Sequence, residues 1–90
     1  MKILDLLGSF KRDFKRISKR GWDIDKLSAV VVTLRRAEPL SVHARPHKLS
    51  GEWLGFWECH VAPDWLLIYD TNDATVLLAR TGTHQDLFDN

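Results

Sequence analysis

Between Arg45 and Tyr69 the chain reads RPHKLSGEWLGFWECHVAPDWLLIY, which sets His47, His60 and Asp64 at the ends of expected strands, with Trp65 beside Asp64. Imidazole and carboxylate gathered on one small domain are the parts of a proton-transfer site. A second fragment, RTGTHQDLF from Arg80 to Phe88, adds a cation, another histidine and an aromatic ring at the mouth of a further strand.

An imidazole titrating near pH ~6.5 can give or take a proton at neutral pH. One histidine in each role is what cleavage of RNA through its own 2′-hydroxyl requires. A base removes the 2′-OH proton, a cation holds the charge growing on the phosphate, and an acid protonates the departing 5′-oxygen. His84 or His60 suits base or acid, and Asp64 can orient an imidazole or raise its affinity for a proton. Arg80 and Lys48 are candidates for the phosphate. Trp65 or Phe88 could stack on a base, an interaction contributing about 1–3 kcal/mol. His60 and Asp64 flank a turn at Pro63, so they can lie within about 10 Å across strands spaced ~4.8 Å apart.

A zinc reading draws on His43, His47, Cys59 and His60. Adjacent Cys59 and His60 on one strand point to opposite faces, and there is no second cysteine pair. The same geometry counts against Cys59 as a nucleophile with His60 as its base. No metal or other cofactor is expected. Trp22, Trp53, Trp57 and Phe56 are expected to pack, because a small domain needs large side chains to gain burial.

Residues 2–7 (KILDLL) suit a first strand, before Gly8 and Ser9 break the pattern and offer a helix N-cap. Phe10, Phe14 and Ile17 follow at i, i+4, i+7. Lys11, Arg12, Lys15, Arg16, Lys19 and Arg20 cover the remaining face of that amphipathic helix, and Gly21 stops it. Asp23 caps a second helix with the stripe Ile24, Leu27, Val30, Val31 and Leu34. Asp25 in its first turn and Arg35 and Arg36 in its last suit the helix dipole. Pro39 marks the exit.

Three stretches rich in aromatic and β-favouring residues follow: Trp53 to Val61, Trp65 to Asp70 and Thr75 to Thr81. The short linkers between them imply adjacent antiparallel strands. His84 would then sit in a loop beyond a Gly82 turn. The order β-α-α-β-β-β predicts an α+β fold, a two-helix hairpin packed on one face of a small, mostly antiparallel four-stranded sheet.

Ninety residues, 44% of them hydrophobic and 28% charged, fit one soluble globular domain spanning residues 1–90. No apolar run approaches the ~18 residues of a membrane span, so no membrane partner is expected. The segment MKILDLLGSFKRDF has too short an apolar stretch for a secretory signal. A lone Cys59 cannot form an internal disulfide, and the chain is expected to be cytoplasmic. Residues 1–50 hold 12 of the 13 Lys and Arg against 5 acids, whereas residues 51–90 hold 1 against 7. The basic half could neutralise phosphates by counterion release, or could simply be a solvated helix face.

The three motifs, H-x-L-x-G-x-W from His47, H-V-x-P-D-W-x-L-I-Y from His60 and R-T-G-T-H-x-x-L-F from Arg80, occur in that order. They make the chain resemble the YafQ toxins of the RelE/ParE superfamily, and with both helices the resemblance covers nearly all of it. It implies a type II toxin with a microbial-RNase-like fold that cleaves mRNA on the ribosome and inhibits translation. A cognate antitoxin would hold it inactive, and operator DNA would be met only through the antitoxin complex. Carried over by motif, the catalytic positions are His47, His60, Asp64 and His84, with Trp65 and Phe88 as the site's aromatics. Arg80 matches the arginine before T-G-T-H, where a cation helps hold the scissile phosphate. F-W-E-C between Gly55 and His60 departs from the polar or basic residues of relatives. The alternative is a ParE-like toxin that poisons a protein target such as DNA gyrase, which would need no acid and base residues.

Overall fold

The structure, a computed structural model, describes residues 1–88. The chain runs β1 (Ile3–Leu6), α1 (Gly8–Lys19), α2 (Ile24–Arg35), β2 (His47–Lys48), β3 (Trp57–Ala62), β4 (Trp65–Thr71), β5 (Thr75–Gly82) and α3 (His84–Phe88). The expected α+β class holds. The sheet has five strands rather than four, in the order β1-β5-β4-β3-β2, because His47 and Lys48 add a two-residue edge strand beside Glu58 and Trp57. Only β1 is parallel to its neighbour, β5; the two are joined through the helices and the rest of the sheet.

Gly21 ends α1 as expected. At φ +77° it occupies the left-handed region, its N–H donating to Ser18 O and that of Trp22 to Ile17 O, which is the Schellman closure. Asp23 caps α2, its carboxylate accepting the N–H of Asp25. Ser9 does not cap α1. The helix begins at Gly8 with Leu7 in the capping position, and the Ser9 hydroxyl donates to Ala79 O on β5 at 2.6 Å. The strand expected from Trp53 begins only at Trp57, because Gly51–Trp53 forms a 3₁₀ turn and Gly55 has φ +94°.

Two hydrophobic layers result. Phe10, Ile17, Leu27, Val31 and Leu34 of the helices pack on Cys59, Leu67, Tyr69, Val76 and Leu78. On the opposite face Leu66, Ile68, Ala79 and Leu87 are covered by Leu49, Trp53 and Phe56. The five residues Trp65 to Tyr69 of β4 are therefore all buried, as a strand covered on both faces must be. Trp53 and Phe56 meet edge-on at 5.3 Å, and Trp22 and Trp57 join the helix-side core, so these rings pack as expected.

The stripe of α1 holds a surprise. Asp13, 2% exposed, takes the inward position beside Phe10 and Ile17, while Phe14 stays 37% exposed. Its carboxylate accepts from Arg80 Nε at 2.5 Å, Arg80 Nη2 at 3.2 Å and the Thr81 N–H at 3.1 Å, and Arg16 lies 3.6 Å away. A buried carboxylate needs such partners, since removing one side of a buried pair strands the other. Asp13→Ala is therefore expected to cost about 3 kcal/mol of unfolding free energy. Urea denaturation checks this, and a loss under about 1 kcal/mol would mean that Arg80 finds full solvation without its partner.

Candidate active site

The C-terminal end of β5 builds the site. Thr83 and Asp86 bracket the start of α3: the Thr83 hydroxyl accepts the Asp86 N–H at 3.0 Å, and the Asp86 carboxylate accepts the Thr83 N–H at 3.0 Å. This reciprocal pair is a capping box with aspartate in the acid position. Gly82 makes room for it, because a Cβ there would lie 2.9 Å from Asp86 Oδ2. His84, expected in a loop, becomes the first residue of a helix instead, because the box closes immediately before it.

That placement turns both donors of His84 toward the β3–β4 turn. Its backbone N–H and its ring Nδ1 each lie 3.2 Å from Asp64 Oδ1. A carboxylate can only accept, so Nδ1 carries the hydrogen and Nε2 is left as the atom that exchanges a proton. The backbone and side-chain bonds from His84 hold the Asp64 carboxyl below its ordinary range, keeping it ionised. Both side chains are exposed, 59% for His84 and 66% for Asp64, so a substrate can reach them.

The His60 ring is 6.2 Å from that of His84, and Phe88 lies 6.2 Å from His84 on its other contact. Phe88 is 41% exposed. Four of the residues expected at the site, His60, Asp64, His84 and Phe88, thus come together. His60 borders a cleft of ≈ 900 Å³ that Lys26, Val30, His43 and Arg45 also line.

His47 sits further along, on the edge strand. Its Nε2 is 3.3 Å from Oε1 of Glu58, which is buried, and its Nδ1 is 3.1 Å from Arg45 O. Glu58 is two residues before His60 on β3, a step of about 7 Å along the same face. Lys48 places its Nζ 5.6 Å over the Trp57 ring, so the unusual tryptophan packs inward and holds a cation outward.

Two expected roles need correction. Trp65 cannot stack on a nucleobase: it is 5% exposed, its ring packs 4.9 Å from Trp22, and its Nε1 donates to Thr81 Oγ1 at 2.8 Å. It anchors the strand that begins next to Asp64. Arg80 is not a free cation, since Nε and Nη2 are both committed to Asp13, although 21% of its side chain stays accessible. Cys59 is fully buried and pairs with Leu67, whereas His60 pairs with Leu66, so the two side chains lie on opposite faces. Burial, with a smaller contribution from Glu58, pushes the Cys59 thiol up to about 12, which leaves it inert as a nucleophile.

Asp13, Glu58 and Asp86 were not singled out from the sequence. Asp13 carried a signal, an acid three residues after Phe10 and four before Ile17, on the apolar side of a basic helix. Glu58 shares the two-residue period of β3 with His60. Asp86 carried a local signal too, the T-x-x-D spacing of a capping box with Thr83, but its partner Arg20 lies 66 positions away.

Fold and site together define a class: a small α+β domain in which two helices, the first with a basic face, back a mixed sheet, and one end of that sheet presents paired histidines with an aspartate. The model of the YafQ family, bacterial toxins of type II toxin–antitoxin systems, matches residues 3–89. The chain belongs to that family. The mRNA interferase toxin YafQ of Escherichia coli K12 is 37% identical over 86 residues, 94% of each chain. A copper-bound variant of a toxin from Helicobacter pylori superposes with a TM-score of 0.91 at 41% identity, over 98% of this chain and 100% of that one. A chain of the E. coli DinJ–YafQ toxin–antitoxin complex gives 0.88 at 36% identity, with 97% of both covered.

The carboxyl of Asp86 is held well below the usual range, first by the hydrogen bond from Arg20 and then by its bonds with Thr83, against the opposing effect of burial. A group whose folded value is depressed contributes stability above its unfolded value, ~3.9 for aspartate, and loses it as pH falls through the folded one. Acid unfolding followed from pH ~5 downward should therefore be less steep in Asp86→Asn than in the parent. Parallel acid limbs in the two proteins would remove Asp86 from the pH dependence.

Proposed function

We propose that this chain is a ribosome-dependent mRNA interferase, working in the cytoplasm, which cleaves RNA by attack of the 2′-hydroxyl on the adjacent phosphate. The observation that carries the reading is the His60–His84 pair, rings 6.2 Å apart, with Asp64 behind Nδ1 of His84. Two rings so spaced can each come within about 2.6–3.2 Å of an oxygen on opposite sides of one phosphodiester.

One imidazole takes the proton from the 2′-oxygen as that oxygen bonds to phosphorus. The other protonates the 5′-oxygen as its bond to phosphorus breaks, leaving a 2′,3′-cyclic phosphate and a 5′-hydroxyl end. Asp64 keeps Nδ1 of His84 protonated and stabilises the imidazolium when Nε2 carries a proton. Lys48, on the edge strand, is proposed to supply positive potential toward the substrate phosphates. Phe88 offers a ring face for a base beside the scissile bond. His47, set against Glu58, belongs to the same face and completes the histidine set.

The pair of histidines furnishes both proton transfers, so the reaction is proposed to need no metal. The basic face of α1 is proposed to contact ribosomal RNA, while mRNA enters the histidine cleft. The existence of a DinJ–YafQ toxin–antitoxin complex for a relative supports a cognate antitoxin for this chain, which would bring operator DNA only into the assembled complex.

The test is the purified chain on ribosomes programmed with a defined mRNA, beside the same mRNA free in solution, with cleaved ends mapped. Cuts are expected only on the ribosome. His84→Ala should lower the rate by about 10²–10⁴-fold while remaining folded. A transition-metal chelator that leaves ribosomal Mg²⁺ in place should not change the rate. Cleavage undiminished in His84→Ala would remove the histidine from the chemistry, and cleavage abolished by the chelator would overturn the metal-free route.

A further inference from the structure

We infer that Arg20 and Asp86 form a positioning pair that aims Nε2 of His84, so that a cation on the basic face of α1 serves the chemistry from inside the protein rather than through RNA. The inference rests on the nuclease reading for its kinetic consequence, but its geometry stands apart from it.

Helix α3 has five residues, too few to hold a helical conformation by itself. Its direction must come from outside. Asp86 supplies that through two connections. Within the helix it closes the capping box with Thr83. Outward, it accepts a two-pronged bond from Arg20, Nη1 to Oδ2 at 2.7 Å and Nη2 to Oδ1 at 3.0 Å, with Arg16 3.7 Å away. A forked guanidinium–carboxylate pair fixes orientation as well as distance.

Arg20 is itself held. Its guanidinium lies 5.4 Å over the Trp22 ring, and Trp22 packs 4.9 Å from Trp65, the buried residue next to Asp64. The Schellman turn at Gly21 sets Arg20 and Trp22 on either side of one glycine. The two carboxylates that define His84 are thereby joined: Asp64 holds the ring from the β3–β4 turn, and Arg20, at the α1–α2 turn, holds the helix start through Asp86. Both turns meet at the Trp22–Trp65 contact. Sub-ångström control of this kind matters because a misplacement of about 1 Å can cost a reaction roughly 10²-fold.

The experiment compares Arg20→Gln, Arg20→Lys, Asp86→Asn and the Arg20→Gln/Asp86→Asn double variant with Lys15→Gln, which removes the same charge from α1. On programmed ribosomes Arg20→Gln and Asp86→Asn should each lower kcat about tenfold with little change in KM. The double variant should be no worse than the weaker single one, because both singles break one connection. Arg20→Lys should recover part of kcat, and Lys15→Gln should act mainly on KM. Independently of activity, the ¹H–¹³C resonance of the His84 ring should move in Arg20→Gln while that of His43 stays in place. If Asp86→Asn fails to fold, the Arg20 pair and the His84 resonance decide the matter. Arg20→Gln that behaves like Lys15→Gln, or single effects that multiply in the double variant, would overturn the inference. Should the parent chain cut no RNA, the nuclease reading fails, and an unmoved His84 resonance in Arg20→Gln would separately overturn the positioning pair.

Discussion

Everything at the histidine end of this molecule hangs on a carboxylate buried inside a basic helix. Asp13 accepts the guanidinium of Arg80 and the N–H of Thr81, so α1 is fastened to β5 at the point where that strand runs out toward His84. From there the ionic contacts continue outward. Arg16 lies between Asp13 and Asp86, and Arg20 clamps Asp86. Acid and base alternate along this line, and each carboxylate meets more than one donor. That arrangement offsets the desolvation which makes an isolated buried charge so costly.

The consequence is a division of labour along α1. Lys11, Arg12, Lys15 and Lys19 are exposed on its solvent side, as a surface for a polyanion requires. Arg16 and Arg20 look identical to them in the sequence, yet their head groups are tied to acids of the same chain. Counting basic residues therefore overstates the charge available to RNA, and the strongly basic first half is partly neutralised by the acidic second half within the folded protein. The opposed charges of the two halves, conspicuous in the sequence, are in this sense a record of folding.

Much of the fold was legible because its signals are local. Gly21, Asp23 and the stripe of Leu27, Val31 and Leu34 each act within one or two turns, and the apolar run of β4 marked a strand. The histidine cluster was legible through motif spacing. Asp13 was not, because the pattern Phe10, Phe14, Ile17 fits a helix as well as Phe10, Asp13, Ile17 does, and only a partner 67 positions away makes an inward aspartate tolerable. Trp65 was read as a ligand contact from its place beside Asp64. Alternation along β4 sends it into the helix-side core, where Trp22 and Thr81 meet it. Lys48 on Trp57, and His47 on Glu58, depend on the edge pairing of β2, a two-residue ladder too short to leave a periodic trace.

The parallel pairing of β1 with β5 has a temporal side. The bonds that complete the site span the chain almost from end to end: Ser9 to Ala79 across 70 positions, Asp13 to Arg80 across 67, and Arg20 to Asp86 across 66. Contacts of such long range form late, because the intervening loop must close before they are rewarded. During synthesis the first helix waits, with Asp13 unpartnered, until the segment from Arg80 to Asp86 has been made and has cleared the exit tunnel. The proposed site is thus assembled late, after the local turns and both long helices can already have formed, and the delay is written into the strand order itself.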